Sequence, residues 1–424
     1  MRILLFSHGY PPTISGVTKV VQKLGRTMVQ YGHQVTVVTA SENGTPYRAE
    51  DAGVRLIRLR SWANPVWSEG PIPVASRQTV ERIITECRPD IIHTHDTALF
   101  GNQLIRLRSR LRVPLMASCH ALPQFALSFL PNNRLVEQIV SMSLWRYLIW
   151  HLNCFDTVVF PTEAQRSQFL VRGLQTYSLA ISNGVDTTRF RPGDPCAAEF
   201  EQRYGLPRHP RMLFVGRLCR DKGIDLLIRA MPEIRNHQPA HLLLAGRGDA
   251  RAPLESLTHE LGLASCVHFL GYIPEEDLPD LYRSADLFVI ASTCEVQSIP
   301  TLEALVSGLP VVAVNAGALH ELVQDGVNGF LVSPDDNIAL GQAVWRILSS
   351  PQQTRNFGQA SQQIGRQHAE IRTFSAFIAL YQNLLNSWFT PTAALVENQA
   401  LHFRPGRVNR VDRDRFSRGN IFRL

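Results

Sequence analysis

The sequence predicts an α/β fold with two doubly wound parallel sheets that face each other across a crevice. Short apolar runs alternate with amphipathic segments in two successive series, the pattern of parallel sheets with helices on both faces. Between the series, residues 183–197 contain Gly, Pro and Asp throughout and are typical of a linker. A length of 424 residues allows two domains of roughly 200 residues, each with its own core.

The first series predicts an N-terminal domain over residues 1–182. Its strands are expected at residues 2–7, 34–39, 54–59, 90–93, 113–118, 157–160 and 177–181, and its helices at 17–31, 74–87, 99–111, 133–152 and 163–171.

The second series predicts a C-terminal domain over residues 198–372. Strands are expected at residues 212–215, 241–245, 267–270, 286–291, 310–314 and 329–332, with helices at 224–235, 254–261, 278–283, 300–307, 337–348 and 352–364. A last helix, residues 373–389, is expected to pack back toward the N-terminal domain. Residues 390–424 have no sustained apolar face, and seven Arg lie between positions 402 and 424, so a disordered basic tail is predicted.

The composition describes a soluble globular protein with 45% apolar residues and no apolar run long enough to span a membrane. The amino terminus begins directly as a strand, without the pattern of a signal peptide, so a cytoplasmic location is expected. The seven Cys are scattered without a CxxC pair, and neither a disulfide framework nor a metal site is predicted from them.

The formal charge of +7 indicates an acidic partner, either a phosphate-bearing substrate or an anionic membrane surface. No basic motif with interleaved aromatic residues is present, so nucleic acid is not an expected partner.

Residues 286–314 predict a strand, a polar loop, a short helix and a second strand. Pro300 suits the first turn of that helix, whose amino end should lie beside the carboxyl edge of the sheet and favour an anion. Glu295 in the loop and Glu303 in the first helical turn bracket this anion site. Their carboxylates are suited to accept hydrogen bonds from hydroxyls at both ends of a nucleoside diphosphate sugar, the sugar and the ribose. The alternative is that Glu303 complements the helix dipole and Glu295 is a solvated charge.

The sequence FVGRLCRDKG, residues 214–223, predicts a strand end and a tight turn that opens a helix. Arg217 and Lys222 flank the turn and are placed to reach a diphosphate, since Arg offers a fork of donors and Lys a compact charge. A basic surface turn is the alternative interpretation.

Other strand ends supply further candidates. The loop at residues 8–19 contains Gly16 and resembles a phosphate-approach loop, but it lacks a GxGxxG pattern, and a plain connection is an equal alternative. Tyr272 and Ile273 follow a strand where a nucleotide base can rest, with core packing as the alternative.

Two histidine motifs lie at predicted strand ends. His120 follows PLMASC and is expected to project into the crevice, although a structural role is equally open. His93, His95 and Asp96 form IIHTHD, whose spacing fits no standard zinc pattern, so no metal site is predicted.

Taken together, GRLCRDKG, NGVD, LGYIPEEDLPDLYRSADLFVIAS and the spacing of the two Glu before ALVSGLPVV resemble family 4 of the retaining glycosyltransferases. The resemblance covers roughly residues 1–385 and implies the GT-B fold, in which two Rossmann-like domains enclose the donor.

The resemblance also implies roles for individual residues. Arg217 and Lys222 would bind the donor diphosphate, Glu303 the ribose and Glu295 the donor sugar. His120 matches the crevice histidine near the reacting carbon. No separate cofactor and no metal are implied, because the nucleoside diphosphate sugar is itself a substrate.

Two positions depart from the family pattern. Ser298 stands where many members have Gly, and Ser15 replaces the first Gly of the amino-terminal pair, and both changes are expected to narrow the donor or acceptor site. The expected donor site also includes Gly16 and Ile299.

The segments CHALPQFALSFLP and EVQSIPTLEALVSGLPVV look like those of members that glycosylate membrane lipids. The helix at residues 134–152 carries Trp145, Tyr147 and Trp150 beside Arg146, which suits a membrane interface. Packing of this helix on its sheet is the alternative.

The expected function is transfer of a hexose from a nucleoside diphosphate sugar, with a UDP-sugar as the expected donor and a membrane lipid such as diacylglycerol as acceptor. The expected location is therefore the cytoplasm, including the inner face of the plasma membrane. A polysaccharide or small soluble acceptor, a nucleotide-sugar epimerase and a non-catalytic nucleotide-sugar binder remain alternatives.

Overall fold

The computed structural model describes residues 1–389, apart from residues 14, 65–69, 128–132, 194–197 and 209. Two largely parallel sheets flanked by helices confirm the predicted fold class, and one edge strand of the first sheet, Tyr47–Asp51, is antiparallel to its neighbour. The predicted tail at residues 390–424 and the end of the predicted linker lie outside the described residues.

The N-terminal lobe is built on an eight-stranded sheet in the order β10-β9-β8-β7-β1-β2-β4-β3. Its strands are β1 (Arg2–Phe6), β2 (Gln34–Ala40), β3 (Tyr47–Asp51), β4 (Val54–Leu59), β7 (Ile91–Thr94), β8 (Leu115–Ser118), β9 (Thr157–Phe160) and β10 (Ser178–Ala180), and β5 (Ser61–Trp62) pairs with β6 (Ile72–Pro73). Its helices are α1 (Gly16–Gln30), α2 (Arg77–Cys87), α3 (Leu99–Leu107), α4 (Pro123–Leu127), α5 (Arg134–Leu152) and α6 (Glu163–Leu170).

The C-terminal lobe has a six-stranded, fully parallel sheet in the order β13-β12-β11-β14-β15-β16. Its strands are β11 (Arg211–Val215), β12 (His241–Ala245), β13 (Val267–Gly271), β14 (Leu287–Ile290), β15 (Val311–Val314) and β16 (Gly329–Val332). Its helices are α7 (Ala198–Tyr204), α8 (Ile224–Arg235), α9 (Arg251–Glu260), α10 (Leu278–Arg283), α11 (Ile299–Val306), α12 (Asn337–Leu348) and α13 (Pro351–Gln367).

The last helix, α14 (Glu370–Phe389), packs on the N-terminal lobe and starts ahead of residue 373. Its buried side chains Phe374, Phe377 and Tyr381 belong to the same core cluster as buried residues of β1 and α1. The chain therefore crosses back from the C-terminal lobe before it reaches the end of the described residues.

The two lobes meet along the loop between β14 and α11. The Thr162 hydroxyl donates to the carbonyl of Val296 at 2.9 Å, and the amide of Asn183 donates to Gln297 Oε1 at 2.7 Å. These contacts place the carboxyl ends of both sheets on opposite walls of one crevice.

Candidate functional site

The crevice between the lobes has a volume of about 920 Å³. All ten residues predicted for the site line it: Gly16, His120, Arg217, Lys222, Tyr272, Ile273, Glu295, Ser298, Ile299 and Glu303. Such a cavity at the carboxyl ends of parallel strands is where open α/β sheets bind ligands.

Lys222 ends the 3-10 turn that leads into α8, in direct contact with the loop that follows β14. Its Nζ is 2.7 Å from Glu295 Oε1. The turn can lie this close to the end of β14 because residue 223 is glycine. Gly223 has φ +60°, and a Cβ there would lie 2.4 Å from the carbonyl oxygen of Ala291. Burial acts against the charge of Lys222, but Glu295 and Asp221 outweigh it and raise the pKa of the ammonium group. Lys222 is therefore a fixed cation in the crevice wall.

The amino end of α11 forms the part of the wall beside this pair. Ser298 is the N-cap of the helix, and its hydroxyl accepts from the amide of Thr301 at 3.2 Å. Pro300 lies in the first turn, as predicted. The serine thus has a structural function in this chain, since a buried hydroxyl replaces the bare backbone that Gly would leave. The helix end gives the crevice an anion-favouring wall.

Glu303 is buried, and it faces the crevice from the second turn of α11 rather than the predicted first turn. The Tyr282 hydroxyl donates to its Oε2 at 2.8 Å. Burial raises the pKa of the Glu303 carboxyl, against the opposing effects of Lys19 and the Tyr282 hydrogen bond. The alternative that Glu303 only complements the helix dipole fails, because that effect is confined to the first turn.

The far end of the C-terminal wall carries Tyr272 and Ile273, directly after β13. Ile273 is buried, whereas Tyr272 is 43% exposed and has the Arg247 guanidinium 5.6 Å from its ring centroid. An exposed ring beside a cation and a backbone edge forms a surface on which a planar base can rest.

On the opposite wall, His120 Nε2 lies 3.0 Å from His95 Nδ1, and the two rings stack at 5.3 Å with an interplanar angle of 9°. Burial and the neighbouring His8 lower the pKa of His120 to about 4. His120 is consequently neutral near pH 7 and presents a polar ring without a charge.

The other two polar residues of interest in IIHTHD, His93 and Asp96, have structural partners. His93 bonds Tyr381 of α14 at 2.7 Å and Ser118 at 2.8 Å, and the Asp96 carboxylate accepts from the amide of Ala98 at 2.7 Å. Within the described residues no group of three or more His, Cys, Asp or Glu is arranged to hold a metal ion.

Several crevice residues were not predicted from the sequence. The loop at residues 8–19 was a candidate, but within it His8, which lies two residues after β1 and has the same strand-end signal as His120, was not named as a site residue. Lys19 of α1 forms an ion pair with Glu275 across the crevice. Glu42, after β2, also lines the N-terminal wall, and no sequence motif marks it.

The N-terminal loop is shaped by a cap as well. Ser15 is the N-cap of α1 and forms a capping box with Thr18, so the residue that departs from the glycine pair starts this helix. A Cβ at Gly16 would lie 3.5 Å from the side chain of Ile299, which shows how closely the lobes approach here.

The aromatic residues predicted for a membrane interface on α5 do not all face outward. Trp145 packs edge-on against Phe169 at 4.9 Å, and the Tyr147 hydroxyl donates to the carbonyl of Thr97 at 3.0 Å. Only Trp150 of the three is exposed, at 55%. Throughout the described ranges, none of the helices has the length and hydropathy needed to cross a bilayer.

Comparison with known proteins covers both lobes. The pattern of Glycosyltransferase Family 4 matches residues 14–189, and that of Glycosyl transferases group 1 matches residues 198–364. The chain is 30% identical over 400 residues to the GDP-mannose-dependent alpha-(1-6)-phosphatidylinositol monomannoside mannosyltransferase of Mycolicibacterium smegmatis, across 89% of this chain and 97% of that protein.

Solved structures are similar over the same range. Sucrose-phosphate synthase from Thermosynechococcus elongatus superposes with a TM-score of 0.77 at 25% identity, over 91% of this chain and 99% of that one. HepE of Anabaena, solved in complex with UDP-glucose, has a TM-score of 0.69 at 21% identity, over 90% of this chain and 99% of that one. The second likeness shows the fold alone.

Proposed function

The chain belongs to the family 4, group 1 glycosyltransferases and has their GT-B fold, and from that membership we propose that it transfers a hexose from a nucleoside diphosphate sugar, with retention, to a lipid hydroxyl. The observation that supports this proposal most strongly is the convergence of Arg217, Lys222 and the amino end of α11 on one crevice. Three anion-favouring groups on one wall suit a diphosphate.

The proposed chemistry requires stabilisation of a leaving group. The bond from the anomeric carbon to the diphosphate breaks, a bond to the acceptor oxygen forms, and the acceptor hydroxyl gives its proton to the departing diphosphate. Negative charge gathers on the diphosphate as its bond breaks. Arg217, Lys222 and the helix end are fixed donors aimed at that charge, so the reaction needs no separate cofactor.

The proposed donor is a UDP-sugar. Tyr272 and Ile273 would hold the base, Glu303 the ribose and Glu295 the sugar, and all four residues line the one crevice. The complex of Anabaena HepE with UDP-glucose supports uracil as the base of the donor. The mycobacterial relative, in contrast, is named for GDP-mannose. The donor screen below therefore includes both nucleotides.

The proposed acceptor is a membrane lipid, with diacylglycerol as the first candidate. One face of α5 supports this proposal, since its exposed residues recur at helical spacing: Leu135, Ile139, Met142, Arg146 and Trp150. An apolar stripe with an arginine within it suits contact with lipid head groups. The mycobacterial relative is named for phosphatidylinositol monomannoside, a glycolipid.

The deciding experiment combines radiolabelled UDP-, GDP- and ADP-sugars with membrane lipid extract and separates the products into organic and aqueous phases. The proposal predicts label from UDP-sugar in the organic phase, with the anomeric configuration of the donor retained by proton NMR. Label in an aqueous product would indicate a soluble acceptor. An isomerised nucleotide sugar without acceptor would indicate an epimerase, and binding without turnover would indicate a non-catalytic binder.

A further inference from the structure

Each wall of the crevice carries both acidic and basic side chains. Among the described residues that line it, the C-terminal lobe contributes three cations and three carboxylates: Arg217, Lys222, Arg247, Glu275, Glu295 and Glu303. The cation contributed by the N-terminal lobe is Lys19, and it is already paired with Glu275. The N-terminal wall also carries a carboxylate, Glu42, beside small, apolar and hydroxyl-bearing residues: Pro12, Thr13, Gly70, Pro71 and Leu122.

Glu42 is held in place by two residues of the edge strands. Tyr47 and Arg58 are partners across β3 and β4. The Tyr47 hydroxyl donates to Glu42 Oε1, and Arg58 Nη1 lies 3.0 Å from Glu42 Oε2. The Arg58 side chain is only 4% exposed and is fixed further by the carbonyls of Ala40 and Pro11. The buried Arg58 guanidinium and the half-buried Tyr47 hydroxyl therefore orient a carboxylate whose own side chain remains 31% exposed.

The carboxylate retains capacity for a ligand. Tyr47, Arg58 and a backbone amide use three of the about four acceptor positions that an ionised carboxylate offers, so at least one position remains. Burial acts against ionisation, but the Tyr47 hydrogen bond, a backbone hydrogen bond and Arg58 outweigh it and lower the pKa of Glu42. Near pH 7 the N-terminal wall thus presents a fixed negative charge that accepts hydrogen bonds.

We propose that Glu42 binds a hydroxyl of the acceptor, and that the acceptor is an uncharged polyol or glycerolipid without a phosphate beside the reacting hydroxyl. This inference rests on the proposed function and deepens it. A hydroxyl donates readily to an oriented carboxylate, and the negative charge of the carboxylate strengthens this hydrogen bond. A phosphate in the same place would meet like charge with no unpaired cation among the described residues of that wall to offset it.

The test measures acceptor choice with UDP-glucose as donor. Dioleoylglycerol is compared with phosphatidylinositol in mixed micelles of neutral detergent, and glucose is compared with glucose 6-phosphate in solution. The variant is Glu42→Gln, which keeps the shape of the side chain and removes its charge. The matched control is Glu86→Gln, because Glu86 also pairs with an arginine of the edge strands, Arg48, but lies outside the crevice lining.

The wild-type chain should prefer the uncharged member of each pair. Glu42→Gln should raise the KM for the uncharged acceptor about tenfold, equivalent to about 1.4 kcal/mol, and should reduce the preference over the phosphorylated one. Glu86→Gln should retain the wild-type preference.

Preference for the phosphorylated acceptor, or an unchanged ratio in Glu42→Gln, would overturn the inference while leaving transfer established. Absence of turnover with any acceptor would contradict the proposed function, and the inference with it.

Discussion

Arg217 and Lys222 flank one turn, and their charges are expected to act on the leaving diphosphate. Because preorganised donors of this kind typically contribute a factor of about 100 to 1,000 in turnover, Arg217→Ala and Lys222→Ala should each lose transfer by about that factor. Arg220→Ala is the matched control, since Arg220 is exposed in the same turn and does not line the crevice. Initial rates of nucleotide release measure the effect, with circular dichroism to verify folding.

Full turnover in either crevice variant would remove that residue from the proposed role. A loss of the same size in Arg220→Ala would point instead to distortion of the turn.

At this scale, the sequence identified residues at strand ends but not the partners that hold them. Lys222 and Glu295 could be named because each lies in a recognisable loop. The hydrogen bond from Tyr282 to Glu303 and the ion pair of Arg58 with Glu42 join residues from separate elements. Such pairs follow from packing, which no local pattern specifies.

Among the elements, α11 depends on its cap. Ser298→Ala should lower the free energy of unfolding by about 1 kcal/mol, because the amide of Thr301 loses its acceptor, whereas Ser298→Gly should cost only a few tenths. Urea denaturation gives these values. Ser350→Ala at the cap of α13 is a control outside the crevice lining, and it should lose similar stability without affecting UDP binding.

Equal stability of Ser298→Ala and the wild-type chain would show that the hydroxyl does not cap this helix in solution. The serine at this position would then add no stability over the Gly that many family members have.

Elements with strong apolar periodicity were predicted close to their observed bounds, including α8 and β12. The edge strand β3 was missed because Tyr47–Asp51 is mostly polar and exposed, so it lacks the alternation of a half-buried strand. α7 was missed for a related reason, since it buries Phe200 alone of its seven residues.

For the whole molecule, the two lobes were predictable as units, whereas their mutual placement was not. The contact of Thr162 with Val296 and the ion pair of Lys19 with Glu275 depend on how the lobes dock. Packing of α14 on the first lobe was expected. Its individual contacts, such as that of Tyr381 with His93, join residues far apart in sequence, and no local pattern predicts them.

Buried histidines should make the molecule sensitive to acid. Burial lowers the pKa of His151 in α5 to about 4, whereas an exposed histidine titrates near 6.5. Between these values the unfolded chain binds a proton that the folded chain does not, so stability falls as the pH falls. His151→Asn removes this pH-dependent contribution to the free energy of unfolding, while it retains a polar side chain near Asn102.

Urea denaturation at pH 7 and pH 4 measures the difference. The wild-type chain should lose roughly 3 kcal/mol more stability than His151→Asn over this interval. Parallel pH profiles for the two proteins would show that His151 titrates normally in the folded chain.

The central claim is that the crevice binds a diphosphate through Arg217, Lys222 and the amino end of α11. Calorimetric titration of the full chain with UDP and with uridine tests it most directly. Because two charged hydrogen bonds contribute at least about 3 kcal/mol, UDP should bind at least about 100-fold more tightly than uridine. Equal affinities for UDP and uridine would contradict the account.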